Sequence, residues 1–145
     1  MTEQEQKKLC DFILERSNKE GWFCSHGGIR YDSVSPTLAT AHFAVNEALV
    51  NPLGICHGGV YYTVMDQLAG MAAGSTGRAG VTLNCNISYL KSARIGETVY
   101  CKAEAFKLGR TVAVYHAECY GEDGEMQCTG IFHFFFKGEL ADLAK

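Results

Sequence analysis

The feature that most constrains the fold of this chain is a long apolar segment near its middle, running from His57 to about Ser75. The segment is rich in Ala, Met, Val and Leu and lacks the alternation of a strand, so it predicts one internal helix over residues 57–76. One side of this helix carries an apolar stripe, formed by Val60, Val64, Leu68 and Met71. Small residues occupy its other sides, and we therefore expect another layer of structure to wrap closely around it.

Strand patterns lie on both sides of this helix in the sequence. Two are predicted before it and four after it, at residues 29–34, 38–46, 81–90, 97–106, 111–120 and 126–136. A first helix is predicted over residues 1–20, where apolar side chains recur at helical spacing among charged neighbours. Because tight turns separate the later strands, the expected fold is α+β, a curved antiparallel six-stranded sheet wrapped around one long central helix, plus an N-terminal helix.

The composition favours one domain over residues 1–145 and excludes several classes of protein. A net charge of -3 lacks the basic excess of nucleic-acid-binding proteins. No run of eighteen apolar residues and no signal peptide is present, so we expect a cytoplasmic protein without a membrane partner. The seven cysteines form no Cys-x-x-Cys pair, and we expect no metal and no cofactor.

The segment from Asn51 to Asp66 holds the residues most suited to chemistry. Gly58 and Gly59 begin the central helix, where free N–H groups and the helix dipole can bind a developing oxyanion. Asp66 lies in the middle of an otherwise apolar helix, where a carboxylate is costly unless it is paired or faces a ligand cavity. Asn51 and His57 flank the loop before the helix and are candidates to orient a substrate.

Each of these residues also has a purely structural explanation. Asp66 could be a hydrogen-bonded acid at a subunit interface, His57 could cap the helix, and Asn51 could form an Asx turn. Cys56 precedes His57, but adjacent side chains seldom face each other, so we do not expect a Cys-His nucleophile. A second His-Gly-Gly, at residues 26–28, is followed by neither an acid nor a helix pattern and predicts a turn before a strand.

The spacing between Gly59 and Asp66 predicts a homodimer. Seven residues along a helix separate the two by roughly 10 Å, which is too far for both to contact one carbonyl group. An antiparallel partner helix would bring Gly59 of one subunit close to Asp66 of the other. Two-fold symmetry would then produce two such sites.

The ordered set Asn51, Gly54, His57, Gly58, Gly59 and Asp66 resembles the His-Gly-Gly thioesterases of the hotdog superfamily, in the PaaI-like and acyl-CoA thioesterase 13-like branch. The resemblance covers roughly residues 30–136. It implies a hotdog fold, a homodimer and often a dimer of dimers, and hydrolysis of an aryl-acetyl or fatty acyl-CoA. It also assigns Thr82 to positioning water and Asn51 to holding the thioester.

In this interpretation Asp66 acts as general base or as nucleophile, and either role remains open. Tyr61, Tyr62 and Met65 are predicted to line the acyl pocket. Three cations at strand ends or turns are candidates for binding the CoA phosphates: Lys91, Arg94 and Arg110. The alternatives are a noncatalytic acyl-CoA binding protein and a hotdog dehydratase acting on hydroxyacyl thioesters.

Overall fold

The structure is a computed structural model that describes residues 1–143. It contains three helices, six strands and two short 3₁₀ segments within that range. The helices are α1 (Glu3–Ser17), α2 (Gly58–Gly74) and α3 (Leu140–Leu143). The strands are β1 (Arg30–Val34), β2 (Leu38–Ala44), β3 (Arg78–Tyr89), β4 (Thr98–Leu108), β5 (Val112–Gly121) and β6 (Met126–Glu139). The 3₁₀ segments are Phe23–Gly28 and Glu47–Leu49.

The described strands form one antiparallel sheet in the order β1-β2-β4-β5-β6-β3. Strand β3 directly follows α2 in the chain but pairs with β6 at the far edge. Inward and outward side chains alternate along β5, as expected for a sheet with one face on the core. The predicted α+β hotdog architecture is therefore confirmed.

Helix α2 packs against the inner face of this sheet, where its buried side chains meet the large aromatic residues of the strands. Leu68, Val64 and Met65 are fully buried, as are Phe43 and Phe132. Apolar burial on this scale is the main stabilising contribution to the fold. The central helix predicted over residues 57–76 agrees with Gly58–Gly74 to within two residues at each end.

Helix α1 begins with a capping box between Thr2 and Glu5, in which each side chain accepts a hydrogen bond from the backbone of the other residue. It lies over the end of α2, because Gln6 donates from its side chain to the Ser75 carbonyl at 2.6 Å. At its other end, the Gln67 amide on α2 donates to the Ser17 hydroxyl at 3.0 Å. The two helices therefore run antiparallel along their contact.

The second His-Gly-Gly forms a turn before β1, as predicted. Gly27 has a φ of 66°, and a Cβ atom built there would come within 2.5 Å of the Leu49 side chain. Only glycine fits this position without displacement. The Asn46 amide also donates to the Gly27 carbonyl at 2.7 Å, which helps to end β2 at Ala44 rather than at the predicted residue 46.

Candidate active site

Asp66 lies in the middle of α2, on the side of the helix that turns away from the core towards α1 and β3. Its carboxylate is half-buried, and this burial raises its pKa above the usual value for an aspartate. A hydrogen bond from Thr82 opposes the increase without cancelling it. Asp66 is thus a carboxylate held ready to accept a proton in a partly desolvated site.

Thr82 reaches Asp66 from the inner face of β3, just before an irregularity in that strand. The hydroxyl donates to the Asp66 carboxylate at 2.7 Å. Thr82 pairs with Phe134, whose side chain faces the core, and the next pairing along the strand skips Leu83. Opposed residues share a face of the sheet, so Thr82 faces α2 as Phe134 does, and the extra residue after it is a β-bulge that bends the strand locally.

The Asp66 groove is a surface cavity of about 630 Å³ between α1, α2 and β3. Its lining includes Asp66, Gln67 and Thr82 together with apolar and glycine residues of the same elements. The groove is therefore large enough for part of a small-molecule ligand, with one carboxylate in its wall.

His57 caps the start of α2, which was one of the two roles left open for it. Its Nδ1 accepts the Gly59 N–H at 2.8 Å, so this N–H already has an acceptor. Gly58 occupies the first helical position, where an N–H has no acceptor within the helix. A ligand oxygen at Gly59 would have to replace the His57 ring.

Asn51 forms an Asx turn, again one of the two alternatives left open. Its side-chain oxygen accepts the Leu53 N–H at 2.9 Å, and its backbone closes the loop through bonds with Gly54 and Ile55. The amide oxygen is therefore used by the loop itself. A contact between this oxygen and a substrate is not compatible with the observed turn.

His57 and Gly59 line a different cavity from Asp66. This His57 pocket, of about 270 Å³, lies between α2 and the two 3₁₀ segments and includes Val60 and Thr63. Asp66 is absent from its lining, and neither His57 nor Gly59 belongs to the lining of the Asp66 groove. Within one chain, the structure does not bring the two halves of the predicted site together.

The structure corrects the predicted pocket lining at two of three positions. Met65 is completely buried in the core, and Tyr61 is buried with its hydroxyl donating to Gln127 at 2.8 Å. Both lie on the side of α2 that faces the sheet, so neither contacts a surface cavity. Tyr62 is 40% exposed, and its hydroxyl accepts a hydrogen bond from the Cys85 thiol at 3.1 Å. Only Tyr62 is accessible to a ligand.

The three predicted phosphate contacts differ in their surroundings. Lys91 forms ion pairs with Asp123 and Glu125 at 2.8 and 2.6 Å, so its charge is already balanced. A contact between Lys91 and the CoA phosphates stays a prediction, and it would compete with these two ion pairs. Arg94 and Arg110 are exposed and lie at opposite ends of β4.

Cys56 is not part of a nucleophile pair. Its thiol is 4% exposed and donates to the backbone carbonyl of His57 rather than to the ring. Burial raises the pKa of this thiol to about 12, so it carries no thiolate near neutral pH. The described residues contain no cluster of three or more His, Cys, Asp or Glu side chains able to hold a metal ion. No helix among residues 1–143 is long and apolar enough to cross a membrane.

Residues of α1 contribute to the Asp66 groove that the sequence interpretation did not include. Phe12, Ile13, Arg16 and Ser17 all line it. The helical spacing of Phe12, Ile13 and Arg16 predicts that α1 packs on a larger body, but it does not indicate which face of that body. No motif marks these positions.

A sheet wrapped around one helix, with a half-buried carboxylate in that helix, defines the class of protein as a hotdog-fold protein with a candidate acid–base site. The sequence model of the thioesterase superfamily matches residues 53–128, more than half of the chain. The protein therefore belongs to the thioesterase superfamily. Mouse acyl-coenzyme A thioesterase 13 is 36% identical over 83 residues, which is 56% of this chain and 59% of the mouse protein. The chain thus matches less than two thirds of that relative's length.

Solved structures share the fold over most of the chain. The PaaI protein of Escherichia coli superposes with a TM-score of 0.80, covering 92% of this chain and 96% of PaaI at 22% identity. A hypothetical thioesterase of Streptococcus pneumoniae, solved with coenzyme A, gives 0.75 at 27% identity, covering 79% of this chain and 92% of its own. Two single variants of that protein have also been solved, one with an aspartate replaced by alanine and the other with a threonine replaced by alanine. The two replaced residues are sixteen positions apart, which is also the separation between Asp66 and Thr82.

Proposed function

We propose that this protein hydrolyses the thioester bond of an acyl-CoA to a free acid and CoA. The observation that carries the proposal is the pair formed by Asp66 and Thr82 at the wall of a groove. An acid with a raised pKa in a ligand-sized cavity is typical of a group that exchanges protons with a substrate. The names of the mouse and pneumococcal relatives, and the coenzyme A in the latter, support the same chemistry.

The proposed reaction adds water across the bond between carbonyl carbon and sulfur. Asp66 either removes a proton from the attacking water or attacks the carbonyl carbon itself, forming an anhydride that water then opens. In both routes the carbon–sulfur bond breaks and the CoA thiolate takes up a proton. Thr82 holds the carboxylate and positions the water. The paired substitutions in the pneumococcal protein support the choice of these two residues.

The site is completed by a second subunit. Asp66 and Gly59 line different cavities, and the helix geometry separates them by roughly 10 Å. An antiparallel partner would bring its Gly58 and Gly59 N–H groups to the carbonyl oxygen of the thioester. This oxygen would then replace the His57 ring as the acceptor of the Gly59 N–H. Asn51 holds the loop and would offer its amide N–H to the thioester.

The exposed edge of the sheet supports this dimer. Strand β3 is 12 residues long and has no described strand on its outer side. Leu83 and Tyr89 on it are 57% and 54% exposed. A long apolar edge strand is prone to pair with another chain, so pairing of β3 with its symmetry copy would bury it. Phe106 and Tyr100 on β4 are 71% and 52% exposed, and a further association into a dimer of dimers would cover side chains of this kind.

Arg94 is the cation best placed for the CoA phosphates in this arrangement. It forms a β-bridge with Ile55, within the loop that leads to His57. Arg110 lies beyond the other end of β4, a strand of 11 residues, or roughly 35 Å away. One CoA held by one chain would therefore use Arg94, and Arg110 only from another subunit.

We also propose a cytoplasmic location. The seven cysteines are all free thiols. Cys101, Cys119 and Cys128 are buried side by side on β4, β5 and β6 without a disulfide. Unlinked neighbouring thiols are typical of a reducing compartment.

The proposal is tested with purified protein and a panel of short, medium, long and aromatic acyl-CoAs, with free CoA measured by chromatography because native thiols would react with a dye. Asp66→Asn should abolish turnover, while Asp11→Asn on the exposed face of α1 is the matched control. A dimer and a melting temperature no lower than that of the unchanged protein would exclude a folding defect in Asp66→Asn. Tight binding of acyl-CoA without hydrolysis would favour the noncatalytic alternative, and conversion of a β-hydroxyacyl thioester to an enoyl product would favour the dehydratase.

A further inference from the structure

Helix α1 forms the outer wall of the Asp66 groove along its whole length. The bond from Gln67 to Ser17 fixes α1 beside Asp66, and the bond from Gln6 to Ser75 fixes it beside the end of α2. Between these two attachments, Phe12 and Ile13 face α2 across the groove. The groove is thus an open surface channel between two antiparallel helices.

The lining of this channel changes from polar to apolar with distance from Asp66. The polar residues of the lining lie at the Asp66 end: Arg16, Ser17, Gln67 and Thr82. Further along, α2 contributes Gly70 and Gly74, each one turn of helix beyond the last. The rest of the lining there is also without polar side chains: Met71, Gly80, Val81 and Phe134. A polar entrance followed by an apolar channel matches a ligand with a reactive polar head and an apolar tail.

The channel ends near Gly74. A Cβ atom built on Gly74 would lie 3.8 Å from Ile13 Cδ1, which is van der Waals contact, so these two residues close the channel at this point. Beyond them Leu140 completes the lining, held beside the end of α2 by a bond from its N–H to the Gly77 carbonyl at 2.9 Å. The distance along α2 from Asp66 to Gly74 is roughly 12 Å.

We propose that this channel holds the acyl chain of the substrate, and that Ile13 and Gly74 set the longest straight chain it accepts. The inference rests on the proposed thioester hydrolysis, because it places the carbonyl carbon beside Asp66. A carbon–carbon bond of about 1.5 Å advances an extended chain by about 1.3 Å, so roughly 12 Å accommodates about nine carbons. The substrate class is therefore medium-length straight-chain acyl-CoA, in preference to acetyl, aryl-acetyl or long-chain groups.

The test compares kcat/KM for saturated acyl-CoAs of increasing length and for phenylacetyl-CoA. For the unchanged protein, we expect an increase of about fourfold per added methylene until the channel is full, because each buried methylene is stabilised by the hydrophobic effect. The increase should stop near eight to ten carbons. A preference for phenylacetyl-CoA, or an increase continuing to long chains, would overturn the proposal.

Two variants move the end of the channel in opposite directions. Gly74→Leu adds a side chain against Ile13 at the closed end of the channel. It should lower kcat/KM for decanoyl-CoA by about tenfold or more, with a far smaller loss for butyryl-CoA. Ile13→Ala should move the limit to longer chains. Lys8→Ala, on an exposed part of α1 outside the groove, is the control. If Gly74→Leu does not fold, Ile13→Ala decides, and an unchanged length limit in a folded variant would contradict the proposal.

Binding measured by calorimetry separates this inference from the proposed function. If no acyl-CoA is hydrolysed, the hydrolase proposal fails, and the same series of chain lengths is compared by Kd. A length limit that shifts in Ile13→Ala would then support the channel on its own. Affinity that does not depend on chain length would reject the channel whether or not hydrolysis occurs.

Discussion

Thr82 donates its hydroxyl to the carboxylate of Asp66 across 2.7 Å, joining the edge strand β3 to the middle of the central helix α2. The bond acts against the effect of burial on the same carboxyl group, since burial raises its pKa and the donated proton lowers it. Two elements that are adjacent in sequence but lie in different layers thus control the protonation of one group.

Replacing Thr82 should change the pH dependence of hydrolysis. Activity needs ionised Asp66, so kcat should rise with pH through a pKa above the ordinary aspartate value of about 3.9. Thr82→Val removes the hydroxyl and should move this limb to higher pH, with kcat lowered by about tenfold or more even at its plateau. The measurement is a pH–rate profile with a short acyl-CoA.

Thr82→Ser is the matched control, because it keeps the donor and loses only a methyl group. We expect kcat of Thr82→Ser to rise with pH over the same range as kcat of the unchanged protein. If kcat rises over the same pH range in Thr82→Val and Thr82→Ser, the hydroxyl does not control the pKa of Asp66.

Asp66→Asn should stabilise the folded protein at neutral pH. Because the folded-state pKa of Asp66 is raised, the folded protein holds this proton more tightly than the unfolded chain. The stability associated with the protonated group is present below about pH 4 and is lost as pH rises through the folded pKa. Asparagine carries no charge at any of these pH values. The melting temperature of Asp66→Asn should therefore exceed that of the unchanged protein at pH values above the folded-state pKa, and the two should be equal below about pH 4. A melting series against pH measures the difference, and a lower melting temperature at neutral pH would show that ionised Asp66 is stabilising.

The fold could be predicted because periodicity and turn residues act locally. The apolar stripe along α2 and the alternation in β4, β5 and β6 indicate each element and the face it buries. The short 3₁₀ segments could not be predicted in the same way. Asn46 ends β2 by bonding to Gly27, a residue 19 positions earlier, and no local pattern reports such a contact.

The candidate site was predicted only in part, because local sequence patterns reveal some of its residues and not the contacts between distant ones. Asp66 is conspicuous because a carboxylate in an apolar helix has a high desolvation cost, and its partner Thr82 was identified by resemblance. Met65 was assigned wrongly to the pocket because apolar character does not show whether a helix residue faces the sheet or α1. The ion pairs of Lys91 could not be predicted, because its partners, Asp123 and Glu125, lie more than thirty residues away.

His57 should contribute to stability through its cap. Removing the acceptor of the Gly59 N–H in His57→Ala should lower the free energy of unfolding by about 1 kcal/mol. His57→Asn supplies another good capping side chain and should restore most of the lost free energy of unfolding. Urea unfolding of the three proteins measures this. Equal stability of His57→Ala and the unchanged protein would contradict a capping role.

Cys56 should be dispensable for hydrolysis. Its thiol is buried and its pKa is raised to about 12, so it neither reacts with alkylating reagents at neutral pH nor acts as a nucleophile. Cys56→Ala should keep kcat within about twofold, since it removes one buried sulfur and no charge. Loss of activity with an unchanged melting temperature would instead point to chemistry at this residue.

Mixing two inactive variants should restore activity if each site uses two subunits. Asp66→Asn protomers keep their His57 and Gly59. His57→Ala protomers keep their Asp66 but lose the cap that holds the Gly58 and Gly59 N–H groups in place, so their own turnover should fall by about tenfold or more. In a dimer with one protomer of each variant, Asp66 of the His57→Ala protomer meets His57 and Gly59 of the Asp66→Asn protomer. This pair of protomers therefore contains one intact site. Random reassociation gives half mixed dimers with one working site of two, so about one quarter of the unchanged activity should return. The mixture is made by unfolding and refolding the two proteins together, and the same proteins refolded separately and then combined are the control. Recovery no greater than the control would mean that one chain carries the whole site, which the separate cavities of Asp66 and Gly59 argue against.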